Sequence, residues 1–81
     1  MDAAFIKAFG AVIKKQRERY LLTQQQLADR ARIHRTYISD IERGSRNVSI
    51  NSIKRIADAL GTPVSLLFAE AETGLVALKK D

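Results

Sequence analysis

An all-α fold of five helices is what this 81-residue sequence predicts, and three observations carry the prediction. Apolar residues recur at helical spacing through five successive segments. Residues suited to start a helix, Thr23, His34, Ser49 and Thr62, stand immediately before four of them. Gly44 and Gly61 stand where the third and fourth should stop, because glycine takes the left-handed conformation after a helix C-terminus without steric cost.

Residues 3 to 19 place Phe5, Phe9, Val12, Ile13 and Gln16 on one face of an amphipathic first helix, with Lys14, Lys15 and Arg19 elsewhere on it. Those cations make a solvated face or touch phosphate. Tyr20 to Leu22 lead to Thr23-x-x-Gln26, a capping box that starts the second helix at about Gln24. Leu27, Ala28 and Ala31 turn inward, and Gln25, Asp29 and Arg30 face water. Arg32 and Ile33 make a turn, His34 caps, and Arg35 to Arg43 resume helical periodicity with Ile38 and Ile41 inward. Neither short helix is stable alone, so a surrounding core must hold both. Ser45 to Val48 connect to Ser49, the cap of a helix from Ile50 to Leu60 whose core stripe is Ile53, Ile56, Ala57 and Leu60. Thr62 is expected to cap a last, short helix with Pro63 at its first position.

Val64, Leu66, Leu67 and Phe68 are too many apolar residues for so short a surface helix. Some must complete the core, and some form a dimer interface covered by a second copy of the chain. Thr73 and Gly74 are expected to break the helical pattern, leaving Leu75, Val76 and Leu78 as a frayed end or an added dimer contact. The chain therefore reads as one domain over residues 1–81, with a core over about 5–70 and a tail over 73–81.

Composition narrows the function. Fourteen Lys and Arg against nine Asp and Glu give a net charge of +5, and the excess lies before Gly61, which favours a polyanionic partner. No cysteine is present, and one His cannot hold a metal without help, so no metal site and no cofactor are expected. There is no apolar run long enough to span a membrane and no signal pattern at the N-terminus, so a cytoplasmic protein is expected. The single His has no Ser or Cys partner at motif spacing and no Gly-rich phosphate loop occurs; an enzyme is not expected.

The outward residues of the third segment carry the chemistry. Arg35 can donate two parallel hydrogen bonds to guanine O6 and N7, or grip phosphate. Thr36 offers its methyl to a thymine methyl or its hydroxyl to a phosphate. Tyr37 donates to phosphate or packs as a core ring with a wet hydroxyl. Ser39 and Asp40 lie a turn later; Asp40 accepts from cytosine N4 or repels DNA and so excludes wrong sites. Gln24, at the start of the second helix, meets a phosphate while its side chain braces the third, or merely caps. Ser45 is a weaker phosphate candidate, and His34 reads as a cap only.

The stretch LTQQQLADRARIHRTYISDIERG, continued by SRNVSINSIKRIADALGTPVSLLF, resembles the lambda-repressor-type (Cro/C1, XRE) helix-turn-helix family. The block RTYISDIERGSRNVS is similar to the controller proteins of bacterial restriction–modification systems. The resemblance covers residues 5 to 70 and implies a compact DNA-binding domain with a central helix-turn-helix, whose third helix enters the major groove. It places Arg46 and Asn47 in a loop that touches DNA, Arg46 in recognition and Asn47 on the backbone. The base-contacting set is then Arg35, Thr36, Ser39, Asp40 and Arg46, and the phosphate set Gln24, Tyr37, Ser45 and Asn47. It also implies a partly buried ion pair between Arg17 and Glu42, whose opposite charges would meet if the first helix packs on the third.

Family members often carry glycine at the places of Leu21 and Arg32. This chain departs at both, so either these backbones are not left-handed or strain is stored there. The implied function is regulation of transcription by a homodimer on double-stranded, palindromic DNA, with autoregulation of its own promoter and RNA polymerase as the machinery it recruits or blocks. A phage-type repressor or an antitoxin-like autorepressor is the alternative on the same fold. A protein-interaction module without DNA is the alternative of another class.

Overall fold

The structure, a computed structural model, describes residues 2–78, with side chains described as far as residue 75. Five helices follow one another: α1 Ala3–Arg19, α2 Gln24–Ala31, α3 Arg35–Arg43, α4 Ile50–Leu60 and α5 Val64–Leu78. Side-chain caps start four of them. Asp2 accepts from the Phe5 amide, the Thr23–Gln26 box is reciprocal, His34 Nδ1 accepts from the Thr36 amide at 3.1 Å, and Ser49 accepts from the Ser52 amide. Each satisfies an amide that the helix geometry leaves without a partner.

The C-terminal ends of the first four helices share one device. The amide of the first residue past α2, α3 and α4, and of the second past α1, reaches back three residues, and the next amide reaches back five: Leu21 to Glu18 and Leu22 to Arg17, Arg32 to Asp29 and Ile33 to Ala28, Gly44 to Ile41 and Ser45 to Asp40, Gly61 to Asp58 and Thr62 to Ala57. This is the Schellman arrangement, which requires a left-handed residue at its pivot. Gly44 and Gly61 supply it freely, but Leu21 (φ 58°) and Arg32 (φ 57°) supply it against a side chain. The two departures from glycine are therefore strained. The residues after them explain why the turns hold: Leu22 is buried and Ile33 packs against the core. Leu21 itself is 89% exposed, so its side chain returns nothing to the fold. Leu21→Gly is expected to stabilise by about 0.5–1 kcal/mol, the relieved left-handed cost less the extra freedom of an unfolded glycine. Thermal melting should rise by about 2–8 °C, and an unchanged midpoint would mean that no strain resides at Leu21.

The core is aliphatic. Ile13, Leu27, Ile38, Ile41, Ile56 and Leu67 are wholly inside, with Phe9 beside them. The most extensive interhelix packing is that of α1, against α5 on one side and α3 on the other. Gln16 is buried on the α1 face and donates to Glu70 Oε1 at 2.8 Å, so its amide does not enter the core unpaired. Among the described residues no helix is long and apolar enough to cross a membrane.

The last helix departs from its expected form in three ways. It does not stop at Thr73 and Gly74 but runs 15 residues, because Ala71 is buried and Leu75 packs on the core on either side of that pair. Tertiary burial outweighs the roughly 1 kcal/mol that a helical glycine costs relative to alanine. Thr62 does not cap it: the threonine is buried, its hydroxyl donates to the Leu60 carbonyl, and Pro63 lies just before the helix, its carbonyl accepting from Leu66 and Leu67. Leu67 is not an interface residue, since it is fully enclosed within one protomer. A charge placed there would attack the core rather than a contact between copies. Phe68 is half-buried, with Phe5 stacked on it at 5.8 Å between ring centroids and Phe9 at 5.5 Å. Leu66 is the member of the expected set that faces outward, with Val64 half-buried beside it. The side chains of Val76 and Leu78, and residues 79–81, lie outside the described residues.

Candidate nucleic-acid interface

The outward face of α3 carries two linked groups of side chains. The first begins inside the protein. Arg17 on α1 forms a two-pronged pair with Glu42 on α3, Nε donating to Oε2 at 2.7 Å and Nη2 to Oε1 at 3.0 Å, and its Nη1 donates to the Leu22 carbonyl at 2.8 Å. Both side chains are close to buried, at 11% and 4% exposed. The hydrogen bond to Glu42 raises the Arg17 pKa above the ordinary arginine range, against the burial that lowers it. A raised cation pKa stabilises at every pH below it and is lost only beyond it, so the Arg17 charge persists throughout the range in which proteins are handled.

Gln24, at the start of α2, extends the pair outward. Its Nε2 donates to Glu42 Oε1 at 3.0 Å, and its Oε1 accepts from Arg35 Nη1 at 3.4 Å. A chain of contacts thus runs from α1 through Glu42 and Gln24 to the first residue of α3. Arg35 is exposed, and no acidic residue lies in the first turn of α3. A cation at a helix N-terminus opposes the helix dipole. The helix is less stable for its presence, so Arg35 is not there to hold the fold. Thr36 is exposed beside it.

The second group lies a turn later. Arg43 Nη1 donates to Ser39 Oγ at 2.6 Å and its Nη2 pairs with Asp40 Oδ1. Arg46, from the loop after α3, brings Nε to 3.3 Å from Asp40 Oδ2 and lays its guanidinium over the Tyr37 ring, 5.0 Å from the centroid. Tyr37 is half-buried, and its hydroxyl accepts from the Ser49 amide at 3.3 Å, tying α3 to the start of α4. Ser45 donates to the Asp40 carbonyl through its hydroxyl at 3.2 Å, and Asn47 is exposed in the same loop.

Of the expected contact residues, Gln24, Arg35 and Thr36 gather at the start of α3, and Tyr37, Ser39, Asp40, Ser45 and Arg46 are linked towards its end, with Asn47 exposed in the same loop. Arg43 belongs with them, although the sequence reading gives it no role. Its signal was the spacing, four residues after Ser39 and three after Asp40, which puts all three on one helix face.

A short helix braced by a second, with an exposed guanidinium at its start, is the geometry of a groove-reading motif. The chain belongs to the helix-turn-helix family, whose profile matches residues 13–67. Control protein C.BamHI of Bacillus amyloliquefaciens is 48% identical over 61 residues, 73% of this chain and 75% of that one. The immunity repressor protein of Bacillus phage phi105 is 43% identical over 61 residues, 75% of this chain and 42% of that one. Among solved structures, the restriction–modification controller protein C.Esp1396I, crystallised as a tetramer with its natural 35 base-pair operator, superposes with a TM-score of 0.81 at 35% identity, covering 89% of this chain and 95% of that one.

Proposed function

We propose that the protein is a sequence-specific, double-stranded DNA-binding regulator of transcription. It acts as a homodimer on a roughly palindromic operator, and within that class it is a restriction–modification controller of its own promoter. The observation that carries this reading is Arg35, free at the start of α3 yet braced through Gln24 and Glu42 to α1. Each protomer presents Arg35, Thr36 and Ser39 to one major groove, with half-sites about 34 Å apart. Arg46 and Arg43 flank the groove, and Gln24, Tyr37, Ser45 and Asn47 serve the phosphates. The dimer forms around Leu66 and Val64. The action is occupancy in the cytoplasm, where the bound dimer recruits or blocks RNA polymerase; no catalysis is involved. The likeness to C.BamHI and to the operator-bound C.Esp1396I supports the controller reading. The phi105 repressor favours a phage-type repressor as the second reading, and neighbouring genes separate the two: methyltransferase and endonuclease genes, or phage genes.

Fluorescence anisotropy against a duplex from immediately upstream of the gene, beside a scrambled duplex, at two salt concentrations tests the reading. Preferential binding that survives the higher salt is expected. Equal binding to both, lost together with salt, would reduce the interaction to its basic charge. In the same assay Arg35→Ala should cost about 1–3 kcal/mol on the operator and flatten its base preference, whereas equal losses on both duplexes would make Arg35 a phosphate contact.

A further inference from the structure

The carboxylate of Asp40 has both oxygens engaged, Oδ1 by Arg43 and Oδ2 by Arg46. A cytosine amino group would have to compete with a guanidinium at either oxygen. The side chain is only 16% exposed, while those of Arg43 and Arg46 remain 61% and 54% exposed, so the acid lies beneath two cations that face solvent. Each arginine is also held from a second side, Arg43 by the Ser39 hydroxyl and Arg46 by the Tyr37 ring. The main chain at Asp40 secures the loop itself, its carbonyl accepting from the Ser45 amide at 3.0 Å and from the Ser45 hydroxyl.

Resting on the DNA-binding reading above, we propose that Asp40 is a positioning residue that sets the ratio of specific to non-specific binding, and not a base reader. It acts in two ways. It fixes Arg43 and Arg46 in one pose before DNA arrives, so a duplex whose backbone and groove match that pose meets side chains that are already ordered. It also cancels one of their two charges. Two guanidiniums and one carboxylate leave a net charge of +1 where the arginines alone would present +2. Non-specific binding depends on the number of phosphates neutralised, so it loses nearly one phosphate's worth of attraction. Operator binding regains that loss through the fixed geometry.

Asp40→Asn keeps the shape and removes the charge. Against the scrambled duplex its affinity should rise about three- to tenfold at low salt, and the slope of log affinity against log salt should steepen by nearly one unit. Affinity for the operator should change by less than about twofold, so that the ratio falls. Nitrogen-15 relaxation of the arginine Nε signals in the free protein should show Arg46 rigid in the parent and mobile in the variant. Equal gains on both duplexes would reduce Asp40 to plain repulsion. A changed preference at a single base position would make it a reader after all. Unchanged salt slope with unchanged Arg46 mobility would leave it no role in binding. If the parent protein shows no preference for its upstream duplex, the functional reading fails in the parent alone. The scrambled-duplex slope and the Arg46 mobility still decide the role of Asp40.

Discussion

Gly10→Ala should unfold much of the protein at temperatures where the parent is stable. Gly10 is buried where α1 crosses α3, and a Cβ built on it would sit 2.1 Å from the Ile41 carbonyl oxygen and 3.1 Å from that of Glu42. A carbon needs about 3.3 Å from such an oxygen, so the helices must separate by about 1 Å. Neither obstacle is a side chain that can rotate away; both are backbone. Two effects oppose each other here. Alanine favours an isolated helix by about 1 kcal/mol over glycine, whereas overpacking against fixed backbone costs about 3 kcal/mol or more. The clash wins, against a total stability of only about 4–12 kcal/mol for a chain of this size. Urea denaturation monitored by circular dichroism measures the difference. A midpoint equal to or above that of the parent would mean that α1 and α3 do not approach this closely.

Glu42→Ala is expected to cost about 3–5 kcal/mol, because it leaves the Arg17 guanidinium largely buried with only the Leu22 carbonyl as a partner. The charge, more than the lost contact, sets the magnitude. Replacing both partners by apolar residues of similar size, as in Arg17→Met with Glu42→Leu, should recover much of the loss, since no uncompensated ion then remains. Chemical denaturation of the two single variants and the double variant completes a cycle that isolates the coupling. A loss below about 1 kcal/mol in Glu42→Ala would place the pair in the weak class of surface bridges. The double variant also separates stability from recognition. Its fold should return, yet Gln24 would have no carboxylate to hold, and the Arg35 side chain would lose its brace.

Much of this arrangement could be read from the residues, for reasons that differ by position. Caps are local chemistry, so Thr23, His34 and Ser49 declared their helices from sequence alone. The ends at Gly44 and Gly61 were equally plain. Those at Leu21 and Arg32 stood open between an ordinary and a strained left-handed backbone, because what holds the pivot is the burial of the residue after it, a tertiary effect. The length of α5 escaped for the same reason: Thr73 and Gly74 are weak helix formers, and only packing on either side carries the helix across them. Helical spacing marked Leu67 as apolar but could not say whether its partners belonged to its own protomer. The residues proposed to face the groove could be picked out because exposed polar groups on an otherwise amphipathic short helix need another use. The mutual contacts that restrain Asp40, Arg43 and Arg46 could not, because side chains from a helix and from the loop beyond it meet only once the turn at Gly44 has folded.

The first helix carries none of the residues assigned to bases, yet on the proposed mode of binding it would fix how the two halves of an operator can be spaced. It packs most extensively on α5, which supplies Leu66 to the proposed contact between copies, and on α3, the helix proposed to enter the groove. On that reading it would work as a strut between the symmetry axis and the reading head. The aromatic stack of Phe5 and Phe9 on Phe68 sets its angle at one joint, and the bare backbone contact at Gly10 sets its distance at the other. Relatives that share the same groove-facing side chains but differ at these joints would prefer operators of different half-site spacing while reading the same bases.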